Sequence, residues 1–189
     1  MRTHKEIFTE IYDKNVWGGS GGGSTPENTV EYRAFIQKFL KDYKIQSVVD
    51  YGCGDWSFSR LMDWSGVHYI GYDLVESVIM RNRRLYSTGG VTFACKHEEV
   101  LKEFPPDLMI VKDVLQHWSN EEIDEFLQRY DWVPLILITN TQGQQEADIQ
   151  AGDCRPLSAK FPPLSKYNPE ILAVIQTTIT SEVCLIKNI

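Results

Sequence analysis

Val48-Val49-Asp50-Tyr51-Gly52-Cys53-Gly54-Asp55-Trp56, followed at a distance by Gly71-Tyr72-Asp73, reads as a buried strand, a sharp glycine turn and a second strand ending in an acid. Two glycines two positions apart permit a close backbone approach that a Cβ forbids. Asp73 lies 19 residues after Gly54. That is near the offset of about 20 at which a carboxylate reaches ribose hydroxyls in nucleotide-binding βαβ units. The stretch predicts an open α/β sheet with a nucleoside-bearing ligand at its carboxyl edge.

Beyond this unit, strands and helices alternate. Strands are expected at Ser47–Asp50, His68–Asp73, Val91–Cys95, Asp107–Lys112 and Val133–Thr139, and helices near Phe58–Met62, Glu76–Tyr86 and Asn120–Tyr130. Capping boxes Thr3-x-x-Glu6 and Ser119-x-x-Glu122 open the first helix and the last. Thr25-Pro26 marks the start of another, with Ser24 and Glu27 as an alternative capping pair. Tyr32, Ile36, Phe39 and Leu40 recur along it at helical spacing. Only a short helix or turn fits between Cys95 and Asp107. The alternation predicts a mostly parallel, doubly wound sheet covered on both faces. Two apolar runs, Ile171–Ile179 and Val183–Ile186, are too close for a helical crossover, so they must form an antiparallel hairpin. Asn140 to Pro169 is rich in Gln, Gly, Pro and Asp, the composition of a long functional loop.

Composition bounds the function. The 189 residues suit one domain, read as 1–189, with residues 1–30 as an N-terminal helix and glycine-rich segment and 45–189 as the sheet core. Forty-two per cent are hydrophobic and 24% charged, and the net charge is −7. An acidic chain is a poor electrostatic partner for nucleic acid or anionic lipid. The basic cluster Arg81-Asn82-Arg83-Arg84 falls at a helix end, where cations complement the dipole. Cys53, Cys95, Cys154 and Cys184 form no Cys-x-x-Cys pair, so reduced thiols and no metal are expected. No run approaches the roughly 20 apolar residues of a membrane span, and the expected location is cytoplasmic.

A doubly wound sheet ending in an antiparallel hairpin, with Asp-x-Gly-x-Gly after its first strand, resembles the class I S-adenosylmethionine-dependent methyltransferases. A nicotinamide-binding Rossmann domain shares the first βαβ unit, and Ser57 suits its third small position, but it lacks the reversed last strand. The resemblance extends to a subset of small bacterial and viral members. Those carry an N-terminal Trp-Gly-rich-Ser segment, a Gly-Cys-Gly-Asp turn and a Leu-Gln-His pattern, here Trp17–Ser24, Gly52–Asp55 and Leu115-Gln116-His117.

The resemblance implies a Rossmann-like fold of seven strands with S-adenosyl-L-methionine as cofactor. It makes Trp17, Ser20 and Gly21 part of a cofactor lid; the composition alone reads equally as a flexible linker. It implies that Gly52 and Gly54 pass close to the methionine part, that Asp50 receives the ammonium with Asp55 nearby, and that Asp73, beside Leu74, bridges the ribose hydroxyls. Turn capping is the bland alternative for Asp50 and Asp55. Trp56 stands where many relatives have a third glycine, and packs either on the cofactor or in the core. Lys96-His97 replaces the acid that usually meets the adenine amino group, leaving Glu98 or a backbone carbonyl for that contact.

Methyl transfer is a direct displacement at a sulfonium carbon and needs an in-line nucleophile with water excluded. Lys112 ends the fourth strand and Asp113 and His117 follow it, so all three reach the carboxyl edge where open α/β folds bind ligands. Asp113 is expected at the cofactor and in the chemistry. His117 is the candidate base, or else it orients a loop by bonding a carbonyl. Tyr12, Trp17 and Tyr51 are candidate aromatic walls for a sulfonium. Asn140 and Arg155 are candidate acceptor ligands, with a strand cap and an internal salt bridge as their structural alternatives. The expected reaction is methylation of a small-molecule acceptor at oxygen or nitrogen. The alternatives are methylation of a protein side chain and a non-catalytic module that binds the cofactor or its product.

Overall fold

The computed structural model describes residues 2–95, 101, 105–144, 147–150 and 152–188. Val48 and Val49 place strand β1 (Ser47–Tyr51) in the interior of the sheet, since one faces one hydrophobic cluster and the other the opposite cluster. Parallel strands flank it: β2 (His68–Tyr72) on one side and β4 (Leu108–Lys112) on the other. β3 (Val91–Ala94) continues beyond β2, and β5 (Leu135–Thr141) beyond β4. β7 (Thr180–Lys187) runs antiparallel between β5 and β6 (Glu170–Gln176). The order is β3-β2-β1-β4-β5-β7-β6. The chain winds one way from β1 to β3 and the other way from β4, so the sheet edge between β1 and β4 is the switch point where open sheets bind ligands.

Helix α1 (His4–Asp13) begins with the Thr3/Glu6 capping box, and α4 (Asn120–Arg129) with the Ser119/Glu122 box. α2 (Val30–Asp42) and α3 (Glu76–Tyr86) contribute to the cluster on one sheet face, and α4 to the cluster on the other. Three sequence expectations change here. α2 starts at Val30 rather than at Thr25-Pro26, because the Thr29 hydroxyl donates back to the Thr25 carbonyl at 2.8 Å and ties the intervening residues into a turn. The helix expected at Phe58–Met62 is a short 3₁₀ turn, Ser59–Leu61. Its next turn is blocked on both sides: the Ser59 carbonyl accepts from Trp64 Nε1 at 2.9 Å, and the Asp63 amide donates to Gln37 Oε1 at 2.9 Å. The hairpin turns at 177–179, earlier than the apolar run Ile171–Ile179 implied, because the Thr177 hydroxyl donates to the Ile179 carbonyl at 3.1 Å and closes the turn.

The loop after β5 is held by two buried charged side chains. Glu182, 3% exposed on β7, accepts from Ser158 Oγ at 3.0 Å and from the Ala159 amide at 2.6 Å. Arg155, 2% exposed, donates to the Trp118 carbonyl at 3.0 Å and to Asn120 Oδ1 at 2.9 Å, and pairs with Asp148 at 3.2 Å. It therefore staples the loop to the start of α4. Arg155→Ala is expected to lower unfolding free energy by roughly 2–4 kcal/mol, because it leaves buried acceptors unpaired. Denaturant unfolding measures this, and wild-type stability would contradict the staple.

Candidate active site

The site begins where β1 ends. Gly52 takes φ +82°, and a Cβ there would stand 2.4 Å from Val114 Cγ2, so only glycine fits the turn. Its amide and that of Cys53 both donate to the Tyr72 carbonyl, at 2.8 and 2.9 Å. Asp73 then locks the turn to the end of β2: Oδ2 accepts from the Gly54 amide and Oδ1 from the Val75 amide, each at 3.0 Å. Burial pushes the Asp73 carboxyl above its usual range, against those amide bonds.

Gly54 performs a second service. At φ +55°, a Cβ would lie 2.3 Å from Ser20 Oγ and 3.0 Å from the Tyr12 hydroxyl. The missing side chain is the seat of the Trp17–Ser24 segment. Ser20 Oγ accepts from the Asp55 amide at 2.8 Å and meets the Tyr12 hydroxyl at 2.8 Å. Asp55 Oδ2 accepts from the Ser20 amide at 3.4 Å, Ser57 Oγ donates to the Ser24 carbonyl at 2.8 Å, and Lys112 Nζ donates to the Gly23 carbonyl at 3.0 Å. The segment is thus a bonded strap across the carboxyl edge of the sheet.

Lys112, buried at the end of β4, pairs with Asp113 and lies 5.5 Å and 5.4 Å from the ring centres of Tyr32 and Phe58. Asp50 is 6% exposed, and the Tyr69 hydroxyl donates to its Oδ2 at 2.5 Å. Burial raises its pKa to about 6, although Tyr69 and Lys112 favour the carboxylate. His117 is 5% exposed. Its Nδ1 donates to the Asp153 carbonyl at 2.9 Å, which assigns the proton to Nδ1 and leaves Nε2 as an acceptor. Trp17 stacks on the imidazole at 5.5 Å, and Phe8 meets it edge-on at 5.4 Å. Burial holds the ring below the ordinary histidine pKa, although the Asp153 carbonyl and nearby Asp113 favour the charged form.

These groups surround one cavity of about 450 Å3. Its wall runs from the end of β2, past β1 and β4, to β5 and the start of β7. Four inter-strand steps of roughly 4.8 Å make that edge about 19 Å long. Tyr12, Trp17, Ser20, Gly21, Asp50, Tyr51, Gly52, Gly54, Asp55, Asp73, Leu74, Asp113 and His117 all line it. Two sequence candidates do not. Arg155 is spent on the staple described above. Asn140, 2% exposed, alternates with the cavity-lining Thr139 and Thr141, so its side chain leaves from the other sheet face. Trp56 belongs to the core, packed on Tyr69, Tyr86 and Phe93. The adenine question at Lys96–Glu98 lies outside the described residues.

Sequence reasoning missed Phe8, Tyr32, Thr139 and Thr141, and the hairpin residues Ile175, Thr177, Ile179 and Ser181, all of which line the cavity. The pairing Thr141↔Ser181 brings the hairpin to the carboxyl end of β5. The only sequence signal for it was the antiparallel tail itself.

No protein-family model matches the chain, and no curated protein matches it. Solved structures share its fold. It superposes on magnesium protoporphyrin IX methyltransferase from Synechocystis PCC 6803 with bound SAM at a TM-score of 0.65 and 16% identity, covering 98% of this chain and 97% of that one. Against the N-methyltransferase NodS from Bradyrhizobium japonicum WM9 in complex with S-adenosyl-L-homocysteine the values are 0.62 and 12%, over 87% and 89%. Against human N-acetylserotonin methyltransferase in complex with SAM they are 0.57 and 15%, over 96% and 59%. The fold is that of class I methyltransferases.

The raised Asp50 pKa has a consequence for stability. Between about pH 4 and about pH 6 the folded chain keeps a proton that the unfolded chain has lost, so stability falls as pH rises through that window and then levels. Asp50→Asn removes the ionisation. It is expected to raise unfolding free energy at pH 7 by up to about 3 kcal/mol, since each tenfold change in proton affinity is worth about 1.4 kcal/mol. Thermal melts across pH check this, and a variant less stable than wild type at pH 7 would contradict it.

Proposed function

We propose that this protein transfers the methyl group of S-adenosyl-L-methionine to an oxygen or nitrogen of a small-molecule acceptor. One observation carries the reading. Among the described residues, the cavity presents four carboxylates, Asp50, Asp55, Asp73 and Asp113, against one ammonium, Lys112. Such a wall attracts a ligand that brings positive charge, and a sulfonium with an ammonium supplies it. The solved relatives by fold that carry SAM or S-adenosyl-L-homocysteine support the same ligand.

In this reading Asp73 keeps a lone pair on each oxygen for ribose hydroxyls while its amide bonds fix its position. Leu74 flanks the nucleoside. Gly52 and Gly54 give backbone access, and Asp50 faces the ammonium. The donor, when bound, supplies an electrophilic methyl carbon. The chain supplies alignment, dryness and a base. The strap, held by Ser20, Asp55 and Ser57, covers the edge and excludes water, with Trp17, Gly21 and Tyr12 on its inner side. Much of the barrier to a displacement can be met by such positioning. His117 Nε2 takes the proton of an acceptor hydroxyl or amine, with its ring held by the Asp153 carbonyl and the Trp17 stack. Asp113 orients Lys112 and favours the imidazolium that forms. Thr141 and the β6–β7 hairpin residues bound the half of the cavity left for the acceptor, on the β5/β7 side.

Labelled donor offered with pools of small-molecule acceptors tests transfer directly. His117→Ala is expected to lower turnover about 10²-fold at saturating donor. The wild-type rate is expected to fall in acid with a midpoint below about 6.5, as Nε2 is protonated, and the variant should lack that limb. A variant that keeps most of the rate would remove His117 as the base.

A further inference from the structure

The cavity has two electrically different halves. Among the described residues, every carboxylate and ammonium that lines it stands on β1, in the turn after β1, or at the ends of β2 and β4. The other half is built by β5, the loop after it and the β6–β7 hairpin. Beyond Thr139, these contribute Thr141, Cys154, Ile175, Thr177, Ile179 and Ser181. Desolvation raises the Cys154 thiol above its ordinary value, so it stays uncharged at pH 7. Glu182 follows Ser181 on β7 and therefore leaves from the other sheet face, where Ser158 and the Ala159 amide hold it. A charged acceptor on this side would give up water for a wall with no counter-charge.

The rim of this half is apolar. Ile179, in the hairpin turn, is 43% exposed, and Trp17, stacked on His117, is 38% exposed; both line the cavity. Ile175 is 7% exposed and lines it as well. Large apolar side chains left in water at the edge of a cavity mark a surface that an apolar ligand covers.

The proposed base selects the reacting atom. A neutral amine attacks through its lone pair and sheds its proton afterwards. A hydroxyl must lose its proton as the new bond forms, so a positioned proton acceptor serves it. His117 Nε2, with Nδ1–H committed to the Asp153 carbonyl, is such an acceptor.

Resting on the transfer reading above, we infer that the acceptor is an uncharged, largely apolar molecule methylated at a hydroxyl, and that Ile179 and Ile175 of the hairpin select it. The hydroxyl oxygen forms the new bond to the methyl carbon while the carbon–sulfur bond breaks. That bond's electron pair returns to sulfur, which becomes a neutral thioether, and the hydroxyl proton passes to His117 Nε2. The positive charge moves from sulfonium to imidazolium, and the acceptor is neutral before and after.

Labelled S-adenosyl-L-methionine and matched sets of ring compounds test the inference, each compound supplied as a neutral alcohol or phenol, as a carboxylate and as an aliphatic amine. Label is expected in a methyl ether that passes both anion and cation exchangers at pH 7. Label retained on either exchanger, or carried on nitrogen, would overturn the inference. Ile179→Ser alters an exposed side chain and spares the core. It is expected to raise KM for the labelled acceptor about fivefold while leaving kcat and S-adenosyl-L-homocysteine affinity unchanged. An unchanged KM would remove the hairpin from acceptor selection. Absence of label from every set, in protein that binds S-adenosyl-L-homocysteine, would instead overturn the transfer reading on which the inference rests.

Discussion

The bond from the Gly54 amide to Asp73 is the joint on which the site is built. It draws the turn after β1 onto the end of β2, and the bare Cα of Gly54 then leaves a seat for Ser20. Through Ser20 the strap is fixed, and through the strap two more groups are placed. The Gly23 carbonyl holds Lys112, and Trp17 stacks on His117. A side chain at position 54 would therefore disturb groups at and beyond the end of β4, more than 50 residues later in the sequence. The strap is held mainly by hydrogen bonds and stacking, and α1, which leads into it, buries no residue fully. A segment held this way opens at lower free energy than the packed core.

The cavity wall carries buried polar and ionisable groups. Asp50 is ionised only against its burial, and Tyr32 and Thr139 bury their hydroxyls beside one another. Ordinary cores avoid such groups because each costs stability. Here the two buried clusters on either side of the sheet carry the fold, which lets the carboxyl edge tolerate buried polarity. A ligand with complementary charge would offset that cost on binding. In such a site the residues that favour binding are expected to oppose stability.

Much of this was legible in the chain. Val48 to Trp56 declared the central strand and its turn, and the short gap before Val183 required an antiparallel hairpin. Both are local signals: a continuous apolar run, paired glycines, and a connection too short for a helix. Arg155 and Asn140 were misplaced because their roles depend on direction rather than position. Asn140 follows Thr139 by one residue, and in a strand one residue reverses the face. Arg155 sits in the expected loop, yet its guanidinium turns inward to carbonyls that no sequence spacing reveals. Tyr32 read as a helix core position, since a buried ring hides a hydroxyl that reaches a cavity. The hairpin residues were invisible as site residues because only the β5–β7 register brings them to the edge.

The claim that binds these observations together is that the acidic edge between β2 and β4 holds an S-adenosyl ligand. Isothermal titration of the intact chain with S-adenosyl-L-homocysteine tests it most directly, without knowledge of the acceptor. One saturable site per chain, lost on replacing Asp73 with Ala, is the predicted result. No saturable heat from a folded wild-type protein at ligand concentrations up to about 1 mM, where a Kd corresponds to about −4 kcal/mol, would contradict it.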